Sequence, residues 1–437
     1  MTQLDIHHQR AKRVFYSCLL AVVAVSVFGW WQGSSELLSS SDRLIAIARL
    51  FGILASVSIL IEVVLMSRIP LLEKNISLED TVELHRLNGY LLIGMVVGHI
   101  VFMTLGYKTG DSTSLWQQFV YLNTSFEDVF KALIGTVIFF CATILTLGLV
   151  RKHLQYELWY ATHLTIYFAI LLTFMHQVNS GGDMVRHEWF KYFWFAIFGL
   201  VFVLLAYYRF AKMFINAAKH QFVVAGVSEE AKGIYSIYIK GNNVDTYEFI
   251  PGQYASWRFL SRGLWYEAHP FSFSQEPGHE MLRITAKASG DFSDKLQHLA
   301  PGTPVLVDGP RGAFTSKRAN TKSVTFIAGG IGVAPFLAKI PGFIRKGRVV
   351  TLLYSVRSSE SLAFKEEISA LQKQGLRVQV FVTETGSRIT DAALRASITK
   401  QTTVYICGPN AMTEQIPQKL ISAGLAKEQI ITERFDF

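Results

Sequence analysis

Cysteine is scarce. The 437 residues hold three, Cys18, Cys141 and Cys407, far apart, and two of them lie in apolar runs. That spacing excludes a disulfide framework and a thiolate metal site, so any redox metal must be held by other side chains. There is no internal repeat and no low-complexity segment, and the first apolar run lacks a small-residue cleavage site. It runs instead into Gly29-Trp30-Trp31, an aromatic end suited to a membrane interface, and reads as a retained helix, not a removed leader. Charged residues make up 17% of the chain and are sparse in the first half. The formal charge of +9 in such a chain points to basic residues kept on one side of a membrane, not to nucleic acid.

What the first half has in abundance is apolar length. A run of about 20 residues crosses the roughly 30 Å hydrocarbon layer as a helix. Six such spans are read at 14–31, 44–66, 87–105, 132–150, 158–178 and 190–208. Arg10, Lys12 and Arg13 precede the first. Arg68, Lys74 and Arg86 separate the second from the third, Arg151 and Lys152 join the fourth to the fifth, and Arg209, Lys212 and Lys219 follow the sixth. The opposite loops offer chiefly Arg43, Lys108 and Arg186. The positive-inside rule then puts both termini, and the whole second half, in the cytoplasm of a cell with the spans in its inner membrane.

From about residue 220 the pattern changes to short alternating segments broken by Pro251-Gly252 and Gly309-Pro310, as in a small β-barrel. After about residue 321, strands at 323–328, 349–355, 377–383 and 403–407 alternate with helix-like stretches, which predicts a parallel α/β sheet. The expected architecture is therefore a six-helix membrane bundle at 1–215, a cytoplasmic β-barrel domain at 216–318 and an α/β nucleotide-binding domain at 319–437.

Four histidines fall inside the spans: His85 and His99 on the third, His163 and His176 on the fifth. Ionisable groups within a bilayer are costly and usually functional. Singly, each reads as readily as a hydrogen-bonded packing residue. As matched pairs they suit bis-histidine ligation of two b-type haems between facing helices, His85 with His163 on the inner side and His99 with His176 on the outer. At 1.5 Å per residue the two levels lie roughly 20 Å apart. At about 100° per residue the step from His85 to His99 nearly restores one helix face, whereas the step from His163 to His176 does not. His7, His8, His153, His187 and His220 lie at span ends or in loops and carry no such pattern. Arg49, in the outer part of the second span, needs an anionic partner, such as a haem propionate or a reduced-oxygen species, or else snorkels to the headgroups. Glu62 at the inner end reads as snorkelling too.

In the barrel, Phe249 to Tyr254, then His269-Pro270-Phe271-Ser272-Phe273-Ser274, then Gly290-Asp291-Phe292-Ser293 describe an FAD site in that order. Phe271 can cover an isoalloxazine ring, Ser272 can bond its polar edge, and the backbone from Gly290 to Ser293 can meet a pyrophosphate. Gly329-Gly330-Ile331-Gly332-Val333-Ala334-Pro335 follows a strand and opens a helix, as a dinucleotide phosphate requires. Cys407-Gly408-Pro409 ends a later strand where small residues would let a nicotinamide approach. Arg357 and Ser358 follow another strand end, and an arginine there can pair with a 2′-phosphate, favouring NADPH over NADH.

In this order the paired histidines, His-Pro-Phe-Ser, Gly-Gly-Ile-Gly-Val-Ala-Pro and Cys-Gly-Pro closely resemble the ferric reductase and NADPH oxidase superfamily. The resemblance implies a ferredoxin-reductase-like FAD and nucleotide pair, with Cys407 at the nicotinamide and the terminal aromatic Phe437 over the flavin. It also matches Arg49 to an arginine on the second span of many members. With short external loops and no EF-hand, the chain looks like a minimal bacterial-type member. The implied activity carries electrons from NADPH or NADH through FAD and two haems b to an external small-molecule acceptor, with oxygen favoured over ferric iron. A reductase anchored in lipid and feeding a cytoplasmic or periplasmic protein is the alternative.

Overall fold

The computed structural model describes residues 3–34, 39–73, 78–108, 114–147, 150, 153–154 and 156–434. The chain divides into two compact units, one built on residues 10–69 and 79–206, the other chiefly on 207–437.

The first unit is helical. Its long helices are α1 (Gln3–Gly33), α2 (Ser40–Met66), α3 (Leu78–Tyr107), α4 (Glu127–Thr146), α5 (Tyr156–Ser180) and α6 (Glu188–Leu205). Among the described residues, six helices are long and apolar enough to cross a membrane. A capping box starts α2, in which the Ser39 hydroxyl accepts from the Asp42 amide and the Asp42 side chain answers the Ser39 amide. The core gathers Val57 and Leu60 of α2, Ile170 of α5, and Phe190, Trp194 and Phe198 of α6. The outward faces stay apolar, with Leu91, Val101, Leu171 and Val203 exposed, as a lipid-facing surface requires. The largest boundary difference is at α1, which starts eleven residues before the expected span.

The second unit opens with α7 (Lys212–His220) and two three-stranded antiparallel sheets. One holds β1 (Val223–Ala231), β2 (Ile234–Lys240) and β5 (Leu282–Lys287). The other holds β3 (Tyr254–Phe259), β4 (His269–Ser272) and β6 (Val305–Arg311). Burial alternates strictly along β3 and β6, the period of two that lets one strand face serve a barrel core. A parallel sheet follows, in the order β11 (Ile430–Arg434), β10 (Thr402–Gly408), β7 (Ser323–Gly329), β8 (Val349–Val356) and β9 (Arg377–Val382). Strand order reverses direction between β7 and β10, so their C-terminal ends flank a crevice of the kind where such sheets take ligands. Barrel and sheet share one core: Ile234 and Phe314 pack in the same cluster as Phe326 and Tyr405.

Candidate functional site

The four intramembrane histidines meet in the expected pairs. The ring centroids of His85 and His163 lie 6.1 Å apart, and those of His99 and His176 lie 6.2 Å apart. A metal–imidazole bond is roughly 2 Å, so two such bonds plus the reach from each nitrogen to its ring centre about fill that gap. An unbroken α5 carries both His163 and His176; side-chain placement absorbs the rotational mismatch between the two steps without a break in the helix.

The neighbouring α2 fixes the tautomers on α3. His99 Nδ1 donates to the Ala48 carbonyl at 2.8 Å, and Gly52 makes that approach possible, since a Cβ there would lie 2.8 Å from the same nitrogen. His85 Nδ1 meets the Glu62 carboxylate. In both cases Nε2 is left as the nitrogen for a metal, the arrangement in which outer partners orient a histidine ligand. Glu62 is thus not snorkelling. Its side chain is 13% exposed and it also accepts from Asn88 Nδ2 at 2.7 Å. Sequence patterning missed this residue because an acid near a span end has the same appearance whichever way it turns. On α5, His163 has the Thr146 hydroxyl 3.5 Å from Nδ1, and His176 Nδ1 has no hydrogen-bond partner among the described residues.

Beside the outer pair lies a cavity of about 720 Å³ lined by His99, His176, Arg49, Gln177, Asp183 and Arg186 among others, within the usual range for a site that encloses an organic group. Arg49 does not reach for the headgroups. Its guanidinium pairs with Asp183 at 3.1 Å and donates to the Gly33 carbonyl at 3.0 Å and to the Ser34 hydroxyl at 2.7 Å, while Arg186 donates to the same carbonyl at 2.9 Å. With Asp42 also on the wall, two cations, Arg49 and Arg186, are matched by two carboxylates, Asp42 and Asp183. Asp183 sits in the short helix Gly182–Arg186 between two spans, where no periodic signal singles it out.

In the barrel, the two flavin motifs come together. Phe292 sits 3.9 Å from His269 and 6.3 Å from Phe271, ring centre to ring centre. His269 Nε2 is 2.9 Å from the Glu267 carboxylate, and Trp257 Nε1 donates to the Phe271 carbonyl, fixing β4. Pro270 is exposed beside half-buried Phe271 and Ser272, open to a planar ring. Phe273 and Ser274 are not. Both are fully enclosed, Phe273 stacked 4.0 Å from Phe249 and Ser274 bonded to Arg283 and Thr285. They support the site from behind, with Phe273 packed into the barrel core. Gly290 caps α8 (Asp291–Lys295), and the Ser293 hydroxyl accepts from the Ser289 amide and donates to the Gly290 carbonyl.

At the crevice, Gly330 has φ +55° and begins a 3-10 turn leading into α9 (Ala334–Leu337), in which Pro335 is buried. A Cβ on Gly332 would strike the Cys407 carbonyl, and one on Gly329 would lie 2.7 Å from Pro409. The glycines therefore serve first to lock the β7 and β10 loops together. The Cys407 side chain is fully enclosed, and burial pushes its thiol well above the ordinary range. Only its backbone can border a nicotinamide. Arg357 is 86% exposed and pairs with Glu384 at 3.1 Å, and Ser358 bonds Ser361. Phe437 lies outside the described residues.

No sequence pattern singles out Lys339. It is fully buried with no hydrogen-bond partner among the described residues, its Nζ 3.4 Å from the centre of the Phe314 ring and 4.5 Å from that of Tyr405. Burial holds its pKa well below the ordinary value of 10.5.

Comparison with known families matches residues 51–174 to the ferric reductase like transmembrane component, 233–315 to an FAD-binding domain and 326–418 to an oxidoreductase NAD-binding domain. The chain is 30% identical over 240 residues to flavohemoprotein A of Dictyostelium discoideum, covering 49% of this chain and 60% of that protein. It is 25% identical over 241 residues to a probable ferric reductase transmembrane component of Candida albicans, covering 52% and 34%. The FAD/NAD-binding domain of a nitric oxide dioxygenase from Vibrio cholerae aligns with a TM-score of 0.44 at 24% identity, over 49% of this chain and 97% of that one. The chain thus spans about 60% of the first of these relatives.

Proposed function

From a chain that belongs by its three domains to the ferric reductase and NADPH oxidase superfamily, and is therefore a multi-pass membrane oxidoreductase with FAD and NAD(P) domains, we propose a transmembrane electron carrier. It takes electrons from NAD(P)H on the cytoplasmic face and delivers them to a small-molecule acceptor on the other face, oxygen giving superoxide being favoured. Residues 1–215, 216–318 and 319–437 are its membrane, flavin and nucleotide domains. The observation that carries this reading is the pair of histidine pairs, each about 6 Å across, with both α3 members held by α2 through Nδ1.

When bound, FAD turns a two-electron hydride donor into a source of single electrons and haem b relays them singly. The chain's residues bind and orient. Phe271 and Ser272 take the flavin ring and the Gly290 to Ser293 backbone its pyrophosphate, with His269 and Phe292 bracing both. The crevice between Gly329–Gly332 and Cys407–Pro409 takes the dinucleotide, and Arg357 takes the 2′-phosphate that selects NADPH. His85 and His163 hold the inner haem; His99 and His176 hold the outer one. Arg49, held by Asp183, is the side chain at the outer end whose guanidinium an anion would compete for. By resemblance Phe437 covers the flavin and moves aside for the nucleotide. Basic residues between the spans set both termini inward in the inner membrane, and each electron moved outward gains about 2.3 kcal/mol per 100 mV of interior-negative potential.

The test supplies NADPH to the purified chain with added FAD and follows superoxide-dismutase-sensitive cytochrome c reduction beside ferric chelate reduction, in wild type and His99→Ala. Superoxide output lost in the variant supports the oxidase. Anaerobic iron reduction that needs His99 makes iron the acceptor, a second reading favoured by the likeness to the Candida protein. Activity indifferent to His99→Ala sinks the transmembrane route and leaves a reductase serving a protein partner.

A further inference from the structure

The two α3 histidines are anchored by partners of different charge. At the outer level His99 donates to a neutral backbone carbonyl, that of Ala48. At the inner level His85 Nδ1 is in ion-pair contact with a carboxylate, Glu62, which is itself positioned. Asn88 Nδ2 donates to Glu62 Oε1 at 2.7 Å and to the Ser58 carbonyl at 3.0 Å, and the Ser58 hydroxyl donates to Asn88 Oδ1 at 2.8 Å. On α5, His163 faces a threonine hydroxyl, and His176 Nδ1 has no hydrogen-bond partner among the described residues, the Asp128 carboxylate acting on it only without contact. Among the described residues, His85 is the one of the four imidazoles with a carboxylate in direct contact.

We propose that Glu62 is a positioning residue that makes the inner haem the lower-potential one of the two, so that the chain itself grades electron transfer outward. The inference rests on the haem reading above. A carboxylate accepting from Nδ1 pulls the ring toward imidazolate character and strengthens its donation through Nε2. Stronger donation and a nearby negative charge both stabilise ferric over ferrous iron, and hydrogen bonding around the ligands is one of the levers by which a protein sets a haem potential. A backbone carbonyl supplies the same orientation without the charge. The α2 helix thus holds both rings alike and differs in what it does to the metal.

The experiment is a potentiometric titration of the purified full chain, followed by its reduced b-band absorbance, for wild type, Glu62→Gln, Glu62→Asp and His176→Ala. Wild type is expected to titrate at two potentials, and His176→Ala to retain the lower one, which assigns it to the inner level. Glu62→Gln should move that lower component positive by at least a tenfold change in ferric-to-ferrous ratio, about 59 mV for one electron, with the other unmoved. Glu62→Asp, which keeps the charge, should leave it near wild type. Should Glu62→Gln not hold the inner haem, Asn88→Ala serves: removing the donor that shares the carboxylate's charge throws more of it onto His85 and shifts the same component negative. Glu62→Gln leaving both potentials unmoved, moving both together, or moving the higher one overturns the proposal, as does Asn88→Ala giving no shift or a positive one. A wild type with no b-band overturns the haem reading itself, a distinct failure visible before any variant is made.

Discussion

Arg49 of α2 and Asp183 of the short helix Gly182–Arg186 before α6 meet at 3.1 Å with their side chains 14% and 4% exposed. Breaking a buried pair from one side strands the other charge and costs about 3–5 kcal/mol, while replacing both with apolar groups is often neutral. Asp183→Asn is therefore expected to lower the thermal unfolding midpoint in detergent more than the double variant Arg49→Met/Asp183→Leu does. The ordering of the midpoints, read by intrinsic fluorescence, decides it.

Lys339 gives a prediction with a pH sign. Its folded pKa lies below the ordinary 10.5, so between those values the unfolded chain binds a proton that the folded chain does not, and stability falls as pH is lowered through that window. Of the groups that act on it, Cys407 is held neutral by its own burial, Glu433 favours the charged amine and Arg318 opposes it, and desolvation outweighs them all. Lys339→Met should stabilise the full chain by about 1–3 kcal/mol near neutral pH, the usual cost of burying a polar group unbonded. The advantage should shrink as pH rises toward 10.5, as a thermal series at several pH values would show.

The glycines separate fold from ligand. Gly332→Ala puts a methyl against the Cys407 carbonyl and should cut NAD(P)H oxidation at least tenfold while FAD is retained, because the barrel is untouched. At Gly290 a Cβ would meet no protein atom within 4 Å. Gly290→Ala should then keep the unfolding free energy within about 0.5 kcal/mol of wild type and yet lose FAD more readily on dilution, if the backbone there approaches a pyrophosphate.

Arg357 and Glu384 form an exposed pair worth at most about 1 kcal/mol, which a phosphate can displace. Arg357→Ala should raise the KM for NADPH about 10–100-fold, the worth of a charged hydrogen bond, and leave that for NADH nearly unchanged. Equal effects on both would show that the arginine reads no 2′-phosphate.

Much of this was legible from spacing alone. Paired histidines on two apolar spans are improbable as packing and met as pairs, and strands 323–328 and 403–407 proved to be β7 and β10 within one residue at each end. What could not be read were orientations. Glu62 and Arg49 each had an outward and an inward option of equal appearance, and only the placement of Asn88 and Asp183 chose between them. Phe273 and Ser274 extended a cofactor motif in sequence, but Phe273 is packed into the barrel core and Ser274 is enclosed by its bonds to Arg283 and Thr285. The fifth strand, β11, packs on β10 over five residues and offered too short a pattern to be recognised.

Ile234 and Phe314 of the barrel are embedded in the same core as Phe326 and Tyr405, and the ion pairs Arg283–Glu367 and Arg345–Glu276 close the seam on either side. A joint filled this way has no hinge in it. If the proposed reductase activity holds, its turnover should respond little to solvent viscosity acting on barrel and sheet as separate bodies, because the two share one packed core.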